Sequence, residues 1–319
     1  MQKSDLNLLE PRVQGAGGSL LVLVGFLLIG MAIGNVLAIL NLAFFLSIDA
    51  GSIVDLLNQL NKTPELVPNG WNIMMLLQGT VHFFSYLLPS LLFWFFVERK
   101  NLSDFAIREK SDPVIWLLAM LLVLISIPFN SKFIEWNSAM TLPDAWSGVE
   151  AWMREKEDQL GVLTKFLTSY TSFSQFLIAL FVVVLLPALG EEALFRGIIQ
   201  RKLFQSWGNI HVAIFVSAAI FSAIHLQFYG FLPRMLLGAV FGYLYYWSGS
   251  LWVAVFAHFI NNGFILLMVY LYKIKVLAIN IEEIKTMPLT TVFLSAVLTF
   301  GILYMIRKIG LKQRIVTRN

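Results

Sequence analysis

The 319-residue chain contains no cysteine, and only 13% of its residues are charged, about half the share usual in soluble globular proteins. Without cysteine there is no disulfide, no thiolate metal site and no cysteine nucleophile. With so little charge, 58% hydrophobic residues and a mean hydropathy of +0.76, a water-soluble domain would leave much apolar surface in water. Internal repeats, low-complexity stretches and linkers that would divide the chain into separate units are also missing. A soluble fold is therefore excluded as the default.

The few charges are placed to leave long gaps. Charge-free runs cover 18–46, 71–97, 113–131, 166–190, 203–233, 235–272 and 286–306. Each reaches the ~18 to 20 residues that a helix needs to cross a hydrocarbon core. The runs are continuously apolar, unlike the alternating ten-residue segments of a β-barrel. The first run is too long for a signal-peptide core and follows a polar stretch, so it reads as a retained span. The stretch from 203 to 272 breaks near 228–232 and again at Ser248-Gly249-Ser250, giving spans near 209–227, 231–247 and 251–272. The expected fold class is all-α, a polytopic transmembrane bundle of about eight spans. We divide it into 1–165 (spans 1–3 and an outer interfacial loop), 166–272 (spans 4–7) and 273–319 (the last span and a basic tail).

The basic residues set the expected orientation. Arg99, Lys100, Arg108 and Lys110, then Arg201 and Lys202, then Arg307, Lys308, Lys312, Arg314 and Arg318 fall by parity on one side. The alternate loops are poorer in Lys and Arg, so both termini are expected in the cytoplasm, with the plasma (inner) membrane as the expected location. The net charge of +4 and pI near 9.2 are attributed to this asymmetry, and no nucleic-acid partner is expected. Within the outer loop, Val149 to Leu167 places apolar residues at helical spacing opposite Glu150, Arg154, Glu155, Glu157 and Asp158, the pattern of a helix lying along the interface.

An ionisable group inside a span costs at least ~2.5 to 3.5 kcal/mol on insertion scales and marks a candidate site. The chain offers Glu191, Glu192 and Arg196, the histidines His82, His225 and His258, and Arg234. Glu192 and Arg196 are four residues apart with the acid first, the better order for an intrahelical ion pair. Glu191 then points about 100° away and is left to face a cavity, where partial burial suits a carboxylate to general-base work. If the helix turns back at Ser206 to Asn209, Glu191 lies 17 residues before Gly208 and His225 lies 17 after it, at equal depth on neighbouring helices. His258 and Asn262 share a face of the seventh span. Two histidines and a glutamate on three helices can activate water, and two His with one Glu also form a known zinc ligand set, so Glu191, His225 and His258 are candidate metal ligands. His82 and His211 read as core and interfacial histidines, and Arg234, beside Pro233, reads as an anchor or ion-pair partner.

Three strings stand in order along the chain, on the fourth, fifth and seventh expected spans: Glu191-Glu192-Ala-Leu-Phe-Arg196, Phe221-Ser-Ala-Ile-His225 and His258-Phe-Ile-Asn-Asn262. Together they resemble the EExxxR, FxxxH and HxxxN motifs of the CAAX proteases and bacteriocin-processing enzymes (CPBP, or ABI, intramembrane proteases), over about residues 166–272. The resemblance implies an intramembrane endopeptidase. Glu191 would be its general base, acting with His225 on a water; His258 and Asn262 would be oxyanion donors. Glu192 and Arg196 would brace the site, and Phe221 would pack beside His225. The family has been read both as metal-dependent and as metal-free, and the reading favoured here requires no cofactor, with zinc as the alternative. The expected partners are the lipid bilayer and a peptide or protein substrate in or at the membrane, cut near the cytoplasmic side. A non-catalytic immunity or scaffold protein, and a proton-coupled transporter, are the competing functions.

Overall fold

A computed structural model of the chain describes residues 15–46, 49–106, 111–170, 172–278 and 287–316. Arg108, Lys110 and Arg318, used in the orientation argument, lie outside these residues. Among them the regular structure is entirely helical. Among the described residues six helices are long and apolar enough to cross a membrane, and the protein is an integral membrane helical bundle. In chain order the helices are α1 (Ala16–Leu46), α2 (Ala50–Lys62), α3 (Gly70–Val97), α4 (Pro113–Ser138), α5 (Ser147–Leu167) and α6 (Phe173–Trp207). They continue with α7 (Ile210–Ala223), α8 (Phe231–Ser248), α9 (Leu251–Lys273) and α10 (Leu289–Val316). At the fifth and sixth expected spans stand the two shorter helices, α7 with 14 residues and α8 with 18. At ~1.5 Å per residue, α7 rises only about 21 Å.

Local chemistry sets the helix ends. Ser172 and Gln175 form a reciprocal cap at the start of α6. At its other end Gly208 takes the left-handed conformation (φ 70°), returning its N–H to the Phe204 carbonyl. Asn209 then caps α7 through its side-chain oxygen. Pro187 inside α6 and Pro89 inside α3 are tolerated because the turns just before them, at Leu180–Leu185 and Phe83–Leu87, are widened to i→i+5 bonding. A widened turn separates the proline ring from the carbonyl four residues back, which it would otherwise strike.

Cross-helix bonds sort the helix ends onto two faces. Lys202 donates to Glu98 at 2.5 Å, Ser19 donates to the same carboxylate at 2.7 Å, and Arg201 donates to the Asp104 carbonyl at 2.7 Å. These gather the start of α1 with the ends of α3 and α6 on one face, beside Arg99 and Lys100. At the opposite face Lys273 reaches the Thr168 carbonyl, and Asn137 ties the end of α4 to the segment between α7 and α8. Helix α5 lies on this second face, with Glu150 paired to Arg154 at 2.6 Å. A core of Phe93, Trp94, Phe195, Phe241, Leu244 and Tyr245 fills the interior. Leu21, Phe96, Phe293 and Phe300, each more than 60% exposed, face outward as a lipid-facing surface requires.

Candidate active site

The site is built from α6 outward. Around Arg196 the helix is widened again, over Ala193–Ile199, a distortion frequent where helices carry function. The i,i+4 pair survives it: Arg196 Nη1 donates to Glu192 Oε1 at 2.8 Å, and both side chains are almost wholly buried. The other guanidinium nitrogen donates to the Gly238 carbonyl at 2.8 Å. Phe221 and Phe241 flank the cation, with ring centroids at 4.7 and 5.5 Å. Glycine is needed at 238, because a Cβ there would stand 3.0 Å from Nη2 and 3.2 Å from the Phe221 ring.

Glu192 does more than pair with Arg196. The same Oε1 accepts from His258 Nδ1 at 2.8 Å, so one buried carboxylate fixes both the guanidinium and the imidazole. His258 stacks on Phe241 with ring centroids 5.1 Å apart. With Nδ1 engaged, Nε2 faces the remaining polar groups: Asn262 Nδ2 at 3.1 Å and Glu191 Oε2 at 3.9 Å. Asn261 donates to Asn262 Oδ1 at 2.9 Å and so orients its amide.

His225 departs from its expected place on a span. Helix α7 ends at Ala223, and His225 follows in a short connection in which Leu226 has φ 54° and Phe228–Gly230 form a single 3-10 turn before α8. Its Nδ1 donates to the Phe221 carbonyl at 2.7 Å, which places the lone pair of the neutral ring on Nε2. Phe221 packs edge-on against the imidazole at 4.9 Å. The connection is held from outside: Asn137 donates to the Phe228 carbonyl and accepts from Leu232 N–H, while Glu157 of α5 accepts from Tyr229 N–H at 3.2 Å.

Glu191, His225, His258 and Asn262 all border one cavity of about 670 Å³. Its wall also includes Glu157 and Thr164 of α5, Ser138 and Tyr229, so it reaches the face opposite Arg99, Lys100, Arg201 and Lys202. That differs from the expectation of a site near the basic, cytoplasmic side, because α7 is short and its far end carries His225 to the α5 face. His82 and Arg234 also line the cavity. His82 is buried and stacked on Tyr86 at 4.7 Å, its Nε2 has no hydrogen-bond partner, and the helix-spacing argument gave no sign of its position. His211, away from the cavity, bonds the Tyr243 hydroxyl at 2.7 Å.

Among the described residues no three His, Asp or Glu side chains are grouped closely enough to hold an ion. His258 Nε2, the nitrogen a metal would need, stands 3.1 Å from the Asn262 amide nitrogen.

The fold and this cluster define a class: an integral membrane helical protein with a carboxylate and histidine centre buried among its helices. Comparison with known proteins shows what the chain is similar to. Residues 173–264 match the family model described as type II CAAX prenyl endopeptidase Rce1-like. Two proteins of Bacillus subtilis (strain 168) are similar. "Uncharacterized protein YpbD" is 31% identical over 85 residues, covering 25% of this chain and 40% of that protein. "Putative membrane peptidase YdiL" is 33% identical over 78 residues, covering 24% of this chain and 32% of that protein. The similarity thus spans less than half the length of either relative. No solved structure matches the chain significantly.

Proposed function

We propose that the protein is an intramembrane endopeptidase that hydrolyses a peptide bond of a membrane-associated or lipidated peptide with a water activated by Glu191 and His225. The observation that carries this reading is the shared cavity, into which Glu191, His225, His258 and Asn262 converge from three separate chain segments. Glu191 is the general base, its neighbour Glu192 being already bonded to Arg196 and His258. It takes a proton from water as the oxygen attacks the carbonyl carbon, and that proton passes to the leaving amine as the C–N bond breaks. His225, held through Nδ1, presents Nε2 to the same water.

The oxyanion is received by His258 and Asn262. Their facing nitrogens are 3.1 Å apart, a spacing that lets two donors meet on one oxygen. His258 donates when Nε2 carries a proton, and the arriving oxygen takes the place of the contact between the two side chains. Each donor of this kind is worth about 3 kcal/mol in the transition state. The mechanism is metal-free, in keeping with the Asn262 amide nitrogen standing 3.1 Å from His258 Nε2.

The basic ends of α3, α6 and α10 support a cytoplasmic location for that face. The cavity then receives its substrate from the opposite side of the membrane, past α5. The test is cleavage of quenched, membrane-anchored peptides by the protein in liposomes. Glu191→Gln and His225→Ala should each lower kcat at least ~100-fold with unchanged thermal stability. Cleavage by Glu191→Gln at the wild-type rate would reject the assigned base, and activity lost on chelation and restored by zinc would reject the metal-free mechanism.

A further inference from the structure

The proposed chemistry leaves an arginine in the cavity wall unused. Arg234 stands in the first turn of α8, after Pro233, and its guanidinium lines the same cavity as Glu191 and His258. Its surroundings differ from those of Arg196. Arg196 has both terminal nitrogens bonded, one to a carboxylate and one to a backbone carbonyl, and lies against two aromatic rings. Arg234 has one side-chain acceptor, the amide oxygen of Gln227, which meets Nη2; its Nη1 is buried without a hydrogen-bond partner. No carboxylate stands within ion-pairing distance of it among the described residues. Glu157 and Glu191 share the cavity with it but do not bond it.

The backbone makes room for the group. Gly230 lies against the guanidinium, and a Cβ there would stand 3.3 Å from Nη2 and 3.7 Å from Nη1. A planar cation with an open, desolvated donor edge is the standard receiver of a carboxylate, which matches its fork of N–H groups. A guanidinium kept only as a brace would have both terminal nitrogens bonded from within, as those of Arg196 are.

We infer that Arg234 is the anion pocket of the cavity, binding a carboxylate of the peptide while Glu191 and His225 act on a nearby bond. This deepens the protease reading and rests on it. The carboxylate has two chemical sources, the C-terminus of the substrate or an acidic side chain near the cleaved bond. Either fixes the peptide by charge at one end of the cavity and leaves the scissile carbonyl to be placed by His258 and Asn262.

The test measures binding, so that it does not depend on turnover. Full-length Glu191→Gln protein in detergent micelles is titrated with three dansylated peptides of otherwise identical sequence. One has a free C-terminus, one is the C-terminal amide, and one is the amide with a glutamate inserted. One carboxylate-bearing peptide should bind at least about tenfold more tightly than the neutral amide, and which one does so identifies the source. Adding Arg234→Gln should abolish that preference while leaving affinity for the neutral amide unchanged. Equal binding of all three peptides, or a preference that survives Arg234→Gln, overturns the assignment. A second measurement on the wild-type protein guards against misfolding of the variant. The preferred peptide should protect Arg234 from phenylglyoxal, read by mass mapping, and leave labelling of the exposed Arg99 unchanged; an unprotected Arg234 overturns the inference. Failure here with Glu191→Gln still inactive removes only the anion pocket. Cleavage unaffected by Glu191→Gln removes the assigned base whatever the peptides do.

Discussion

Replacing Arg196 by methionine separates the parts of the buried network. The side chain lost makes a 2.8 Å bond to Glu192, a 2.8 Å bond to the Gly238 carbonyl and stacking on Phe221 and Phe241. What remains is Glu192, with no solvent exposure and one oxygen that already has no partner. Removing one member of a buried pair costs ~3–5 kcal/mol, chiefly because the other charge stays behind unpaired. His258 keeps its contact with Glu192 and offsets a share of that cost, so the expected loss is about 3 kcal/mol. The double variant Glu192→Gln, Arg196→Met removes both charges and should recover about 2 kcal/mol of it, a coupling typical of contacting residues. It should remain inactive, because His258 has lost the carboxylate that orients it. Reversible unfolding in mixed micelles with rising dodecyl sulfate, followed by tryptophan fluorescence, measures these differences. A loss below ~1 kcal/mol for the single variant, or a double variant as unstable as the two singles summed, would refute the account of Glu192 as a buried charge held by Arg196.

Two further outcomes follow from groups on the α5 face. Asn137→Ala removes two bonds, at 3.1 and 2.8 Å, that hold the connection carrying His225. It should loosen that connection by about 2 kcal/mol, seen as faster amide exchange over 224–232 with α6 unchanged, and kcat should fall more than the melting temperature suggests. Glu150 is held below the usual carboxylate range, first by the Leu142 N–H and then by Arg154. Because its folded value is depressed, the stabilisation it lends to the start of α5 is complete above its ordinary value of 4.5 and is lost as pH falls below that. Exchange over 140–154 should therefore rise on acidification in wild type and lose that dependence in Glu150→Gln, and an unchanged profile would show that the Leu142 contact does not order this segment.

Much of the bundle is legible in the sequence because burial in lipid demands it. Gaps between charges mark the spans, Gly208 and Asn209 mark the turn between α6 and α7, and the spacing of Glu192 and Arg196 marks their pair. What periodicity could not supply was the point at which α7 stops. The break near 228–232 is visible, but nothing in the residues before it tells whether the helix stops before or after His225. The helix ends because His225 N–H turns to the Ser222 carbonyl and Leu226 takes positive φ, stabilised by Asn137 and Glu157 from distant parts of the chain. His82 was equally hidden. A histidine in an apolar run is the same string whether its ring packs in a core or borders a cavity, and only the packing of α3 against α6 decides between them. Gly190 is where this packing is tightest, since a Cβ there would lie 3.3 Å from His82 Nε2 and 3.2 Å from the Leu87 nitrogen.

The segment that matches the Rce1-like family, 173–264, carries the three motifs but does not enclose them. Its His225 connection is bonded by Asn137 of α4 and Glu157 of α5, and the cavity wall is completed by His82 and Gln78 of α3 and Asn130 and Ser138 of α4. All of these precede residue 173. The proposed chemistry needs rigid placement of donors to within fractions of an ångström, and a short irregular connection supplies that only when something outside it fixes the backbone. In this protein α4 and α5 do so. On the proposed function, the substrate also passes the elements that border the cavity, so the same two helices are positioned to select what reaches Glu191. On that reading, relatives that keep the motifs but carry different helices before them would share the hydrolytic step and differ in substrate, because the residues that shape the mouth of the cavity lie outside the matched segment.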